Sequence, residues 1–280
     1  MATQVLADDI CFGEGPRWHD GRLFFSDMHD RQVKTVSVTG KVSSVVEVEN
    51  RPSGLGWLPN GDLLIVSMLD RRILLFDGSV LSEHADLSEF APFECNDMIV
   101  DSTGRAYVGH FGFDLNDGAS FNHASLIAIE TDGKSRVVAD HLSFPNGTVI
   151  TPDGGTLVVA ETFAGRLTAF DIVDNGDLEN RRLWGQLPAG TAPDGICLDA
   201  QGAIWVASPP TNECLRLAEG GEVLERLQVG QGAYACMIGE TDTPLLFVMT
   251  SPSSSPAECR ALRGARVETA PVSVAGAGYP

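Results

Sequence analysis

The 280-residue sequence contains no apolar run approaching the length of a membrane span, and its N-terminus lacks the basic segment, apolar stretch and small-residue cleavage site of a secretory signal. A soluble, cytoplasmic protein with no membrane partner is expected. Basic residues are scarce, 19 Lys and Arg against 38 Asp and Glu, for a formal net charge of -19. Nucleic-acid affinity depends on cationic side chains displacing counterions from phosphates, so no DNA or RNA partner is expected. The cysteines at 11, 95, 197, 214, 236 and 259 have neither the paired spacing of a zinc site nor the density of a disulfide scaffold, and read as buried thiols. No Gly-x-Ser-x-Gly elbow is present, and Ser251 to Ser255 lie in a Pro-containing stretch without a placed His and acid, which argues against a serine hydrolase. Gly54-Leu55-Gly56 falls inside strand signals and makes no phosphate cradle.

What the sequence does contain is a repeat. A hydrophobic share of 43% with 20% charged residues describes a chain able to bury a sizeable core. Along it, six segments share one hairpin pattern: a small or polar residue, a β-rich run, a turn and a second β-rich run. Glu14-Gly15-Pro16-Arg17-Trp18 turns at His19-Asp20-Gly21 into Leu23 to Asp27, and Ser53 to Trp57 turns at Pro59-Asn60-Gly61 into Leu63 to Ser67. The third begins at Asn96, the fourth at Asn146 and the fifth at Asp194, with turns at Thr103-Gly104, Asp153-Gly154-Gly155 and Gln201-Gly202. The sixth, Ala235 to Gly239 and Leu245 to Thr250, is degraded. Further strand-like runs, such as Ile73 to Phe76 and Leu126 to Ile129, bring each repeat to about four strands. The pattern predicts an all-β fold: one six-bladed β-propeller over residues 1–280, with four-stranded antiparallel blades. A sandwich or simple barrel would not require the same hairpin six times. To close the ring, the last blade would use strands around Arg260 to Leu262 and Arg266 to Val272, or borrow one near Val5; Ser251 to Pro256 reads as a loop.

In a propeller the first strand of every blade lines the channel, so the leading residues form a ring at one face. That ring is Glu14, Ser53, Asn96, Asn146, Asp194 and Ala235. Four of its members are carboxylates or side-chain amides, and two carboxylates with two amides suit a hard divalent cation such as calcium, magnesium or manganese. The hairpins return to the same face at Asp27, Met68, His110, Glu161, Ser208 and Thr250. Asp27 and Glu161 are expected to orient ligands or waters, and His110 to contact substrate or relay a proton. Phe111, Phe113, Phe121 and Phe144, in or near loops above the channel, imply a partly apolar pocket.

Gly13-Glu14-Gly15-Pro16, Asn96-Asp97, Pro145-Asn146-Gly147 and Pro193-Asp194-Gly195 appear in that order, and through them the chain resembles the senescence-marker-protein/gluconolactonase (regucalcin-like) family over essentially its full length. The resemblance implies a lactonase in which Glu14, Asn146 and Asp194 bind one divalent cation, calcium first and zinc, manganese or magnesium as alternatives. Asn96 then either joins the ligands or contacts water or substrate. Sugar-lactone members carry an Arg two residues before that Asn, where this chain has Glu94. The substrate expected is accordingly a small lactone or ester, with Glu94, Asn96, His110 and Phe111 around it and Asp194 as base or as covalent nucleophile. Phosphotriester hydrolysis, or ligand capture without turnover, are the competing readings.

Overall fold

The computed structural model describes residues 3–115 and 117–278. Its sheets form a ring of six antiparallel blades. Counting outward from the channel, blade one comprises Gly13–His19, Arg22–Asp27, Gln32–Val36 and Val42–Glu47, and blades two to four repeat that order from Pro52, Cys95 and Pro145. The turns form where the sequence supplies residues tolerant of positive φ: Asp20 and Gly21 at 48° and 73°, and Gly61, Gly104, Gly154 and Gly202 between 72° and 91°.

The innermost strands of blades three and four, Cys95–Val100 and Pro145–Ile150, are buried along their whole length, while an outer strand such as Leu178–Gln186 is largely exposed. The core is therefore divided into six apolar clusters, each packed at a seam between neighbouring blades. Leu64, Val66, Met98, Val100 and Val108 fill the seam between blades two and three, and Val158, Ala160, Ile196, Ile204 and Val206 the seam between four and five. Close approach along the channel depends on glycine. A Cβ at Gly147 would lie 2.5 Å from Ile196 N and 2.6 Å from the Asp194 carbonyl oxygen, and one at Gly54 would overlap Met98 N.

Closure uses both candidate regions rather than one. Blade six orders Gly232–Gly239, Leu245–Ser251, Ala265–Pro271 and, outermost, Gln4–Ile10, with Val5 opposite Glu268. The expectation of a strand at Arg260 to Leu262 is corrected: these residues end an α-helix, Pro256–Leu262, which starts on a proline at its first turn and buries Cys259. Blade five also departs from four strands. Beyond Ile196–Asp199, Ile204–Ser208, Glu213–Leu217 and Val223–Gln228, it gains Gly276–Ala277, paired on the channel side with Asp199 and Leu198. The chain's last described residues thus lie in the channel at the end remote from Asp194. Among the described residues no helix is long and apolar enough to cross a membrane.

Candidate functional site

The ring residues owe their aim to a break in the ladder. The first strand of blades one, two, three, four and six loses register with its neighbour beside the leading residue: between Glu14 and Arg17, Pro52 and Leu55, Cys95 and Met98, Pro145 and Thr148, and Ala233 and Ala235. Such a bulge turns a side chain out of the pleat. In blade five Asp194 precedes the strand, held by its N–H donating to the Ala207 carbonyl at 3.0 Å.

Glu14, Asn96, Asn146 and Asp194 all line one cleft of about 340 Å³. Ser53 and Ala235 are buried outside it. The Asn96 Nδ2 donates to the Pro145 carbonyl at 3.2 Å, and the Asn146 Nδ2 to Thr162 Oγ1 at 3.3 Å, while Thr162 donates onward to the Pro193 carbonyl at 2.7 Å. With the amide nitrogens so committed, the amide oxygens are the groups left to the cleft. Burial, then the charge of Asp194, raises the Glu14 carboxyl well above the usual range; burial, then Asp97, pushes Asp194 up to about 8. Beneath them Asp97 pairs with Arg17 at 3.0 Å, both buried. The Arg17 guanidinium is already spent on Asp97 and on the Pro16 and Met98 carbonyls. Two close carboxylates with two amide oxygens and no free counter-ion of their own fit a hard divalent cation, whose charge would favour both ionised forms. No three His, Cys, Asp or Glu side chains cluster as a metal site among the described residues, so a cation here would need the amide oxygens as well.

The residues that end the second strands hold the loops that present the ring. The Asp27 carboxylate accepts Phe12 N at 2.9 Å and Cys11 N at 3.1 Å, just ahead of Glu14, and is paired with Lys34 at 2.7 Å. Glu161 accepts Ser143 N at 2.8 Å ahead of Asn146, and is itself held by Arg166, Thr168 and Arg181. Ser208 Oγ accepts Ala192 N at 3.3 Å ahead of Asp194. Asp27 and Glu161 thus position backbone, and no bond joins them to a ring side chain. The structure does not bring His110 to the cleft. Its Nε2 accepts Ser125 N at 3.0 Å across to the third strand, and burial lowers its pKa to about 4, leaving it neutral and in place of the expected substrate contact.

Glu94 and Phe111 do line the cleft, through a device the sequence repeats. In four blades the residue after the second strand donates its N–H to the carbonyl two positions before the ring residue: Met28 to Phe12, Met68 to Arg51 and Phe111 to Glu94, each at 2.9 Å, and Thr162 to Phe144 at 3.1 Å. All eight face the cleft. Phe12, Met28, Arg51 and Thr162 were missed by the sequence reading, although counting back two from each ring residue, or forward one from each second strand, would have found them. Burial holds the Glu94 carboxyl above its ordinary range, with Arg51 opposing, and one of its oxygens has no partner.

A model of the SMP-30/Gluconolactonase/LRE-like region matches residues 12–252. The pentonolactonase XacC of Haloferax volcanii is 26% identical over 269 residues, covering 89% of this chain and 84% of its own. Regucalcin of Xenopus laevis is 24% identical over 255 residues, covering 88% and 85%. Among solved structures, regucalcin of Agrobacterium tumefaciens strain C58, described as a calcium-binding protein, superposes with a TM-score of 0.83 at 22% identity over 100% of this chain and 96% of its own. That likeness speaks for the propeller alone. The family match is the more specific finding, since it runs unbroken from the loop before Glu14, through Asn96, Asn146 and Asp194, to the end of blade six's second strand, and the chain belongs to the SMP-30/Gluconolactonase/LRE-like family.

Proposed function

We propose that the chain is a divalent-metal-dependent hydrolase of lactones or related esters. The observation that carries this reading is the convergence of Glu14, Asn96, Asn146 and Asp194 on one cleft, with no free counter-ion of their own. Family membership supports it, and relatives named as lactonases, such as the pentonolactonase, supply the reaction class. Glu14, Asn146 and Asp194 would hold the ion, with Asn96 beside it; oxygen-only donors favour calcium, with magnesium, manganese or zinc as substitutes. When bound, the cation would polarise the substrate carbonyl and stabilise the developing negative charge.

The chain's own residues then bind, orient and move a proton. Asn96, tethered to Pro145, presents its amide oxygen to the attacking water or to substrate. Asp194 takes the proton of that water at its carboxylate, which the charge of a bound cation would keep ionised and able to accept it. The same proton then reaches the departing ring oxygen, so ring opening consumes one water and leaves a hydroxy acid. The test is a pH-indicator assay of aliphatic, aromatic and sugar lactones on metal-reconstituted protein beside Asp194→Ala. Turnover that requires added cation and falls by about 10²-fold or more in the variant is expected. Equal rates in the variant, or full activity in chelator, would remove the reading.

A further inference from the structure

Around the channel axis the wall of the cleft changes chemistry from blade to blade. Blades two and three present Arg51 and Glu94. At the next seam, between three and four, the wall is carbon. Phe111 and Phe144 stack at 4.6 Å with planes 29° apart, and Phe163 lies 4.9 Å from Phe144. This sector runs outward instead of ending at the rim: Phe163 is 53% exposed and Phe121, 6.1 Å from it, 48% exposed. Contiguous large apolar side chains open to water mark a binding surface more often than a solvated edge. Phe144 adds an independent sign. Its φ of 64° is in the left-handed region, which disfavours any residue with a β-carbon, yet an aromatic stands there, aimed into the cleft by the bond from Thr162 N to its carbonyl.

We propose that this sector is a subsite for an apolar arm: the substrate carries an alkyl or aryl substituent that lies against Phe111, Phe144 and Phe163 while its carbonyl sits over the ring residues. The position of the carbonyl rests on the hydrolase reading above; recognition of the arm does not. A polyhydroxylated ring would set its hydroxyls against phenyl faces that return no hydrogen bond, whereas an alkyl chain exchanges water for ring contacts. Arg51 and Glu94 on the neighbouring blades give the cleft a polar side, so the arm has one direction in which to lie.

The experiment is a homologous series of γ-lactones substituted from methyl to hexyl, assayed for kcat/KM with calcium. The matching γ-lactams, which resist hydrolysis, are titrated calorimetrically in parallel. Both kcat/KM and lactam affinity are expected to rise about threefold to fourfold per methylene over the first carbons. Phe163→Ala, at a half-exposed position where truncation opens no core cavity, is expected to cut the hexyl-to-methyl ratio about tenfold or more. Lactam affinity that stays flat or falls with chain length overturns the subsite whether or not the lactones turn over. Affinity that rises without any turnover supports the subsite and sinks the hydrolase reading instead.

Discussion

Replacing Arg17 with methionine isolates the charge balance under the cleft. Arg17 is 2% exposed, and its guanidinium is the cation paired with Asp97, whose Oδ1 also accepts Met98 N at 2.8 Å, while Glu14 and Asp194 bear on it from above. Arg17→Met keeps the volume and removes the charge, leaving a buried carboxylate uncompensated. Breaking a buried pair from one side costs about 3–5 kcal/mol, whereas replacing both partners with apolar groups is often neutral. At about 2–4 °C per kcal/mol for chains approaching this size, the midpoint of thermal unfolding should fall by roughly 6–20 °C. Arg17→Met/Asp97→Leu should recover most of that loss. The pH dependence carries a sign as well. Burial already holds Asp97 above the ordinary carboxylate range, and a carboxyl with a raised folded pKa stabilises when protonated and loses that contribution as pH rises through it. The deficit of the single variant should therefore shrink on acidification. Urea unfolding in chelator at several pH values, with m held common, measures all three. A single-variant loss under about 1 kcal/mol, a double variant as unstable as the single, or a deficit independent of pH would refute the reasoning.

The same linkage predicts a metal effect. Glu14 is raised well above its usual value and Asp194 to about 8, so stability in chelator should decline as pH climbs from about 5 to 8, and saturating calcium should abolish that decline and raise the unfolding temperature. Calorimetric scans with identical pH slopes in both conditions would rule out cation binding at these carboxylates. Gly147→Ala, whose new methyl would meet Ile196 N and the Asp194 carbonyl, should cost about 1–3 kcal/mol and lower lactone turnover together, whereas a variant of native stability and rate would show that the seam can yield. All six cysteines are buried, and Cys197 and Cys236, 3.8 Å apart, are raised well above the usual thiol range by burial. Thiol reagents should label them only as fast as the fold opens; rapid labelling of Cys197 in native protein would contradict that packing.

The blade number, the turns and the four carboxylate and amide ring residues were legible because each is written locally. An Asp-Gly or Asn-Gly between apolar runs specifies a hairpin, and sixfold repetition converts sequence offset into height on the channel. What escaped the reading depends on partners far along the chain. Arg17 finds Asp97 on a different blade, and Glu161 gathers Arg166, Thr168 and Arg181 around a loop instead of turning toward the ring. His110 alternates onto the third-strand side and meets Ser125, a consequence of register that a strand-end position does not disclose. Pro256 was a helix start hidden by the Ser-rich stretch before it, and two residues at Gly276–Ala277 are too few to leave a strand signature.

Gln4 pairing with Thr269 has a consequence for biogenesis. During synthesis Gln4–Ile10 emerges long before its strand partner, and the four consecutive strands of each of blades one to five can collapse in order through local hairpins. Blade six cannot, since its outermost strand lies far upstream of the strand it pairs with. Pairings so distant in sequence close slowly. Until Ala265–Pro271 leaves the ribosome, the segment Gln4–Ile10 is an unpaired β-edge, which makes the nascent chain, more than the finished ring, the form that needs shelter from aggregation.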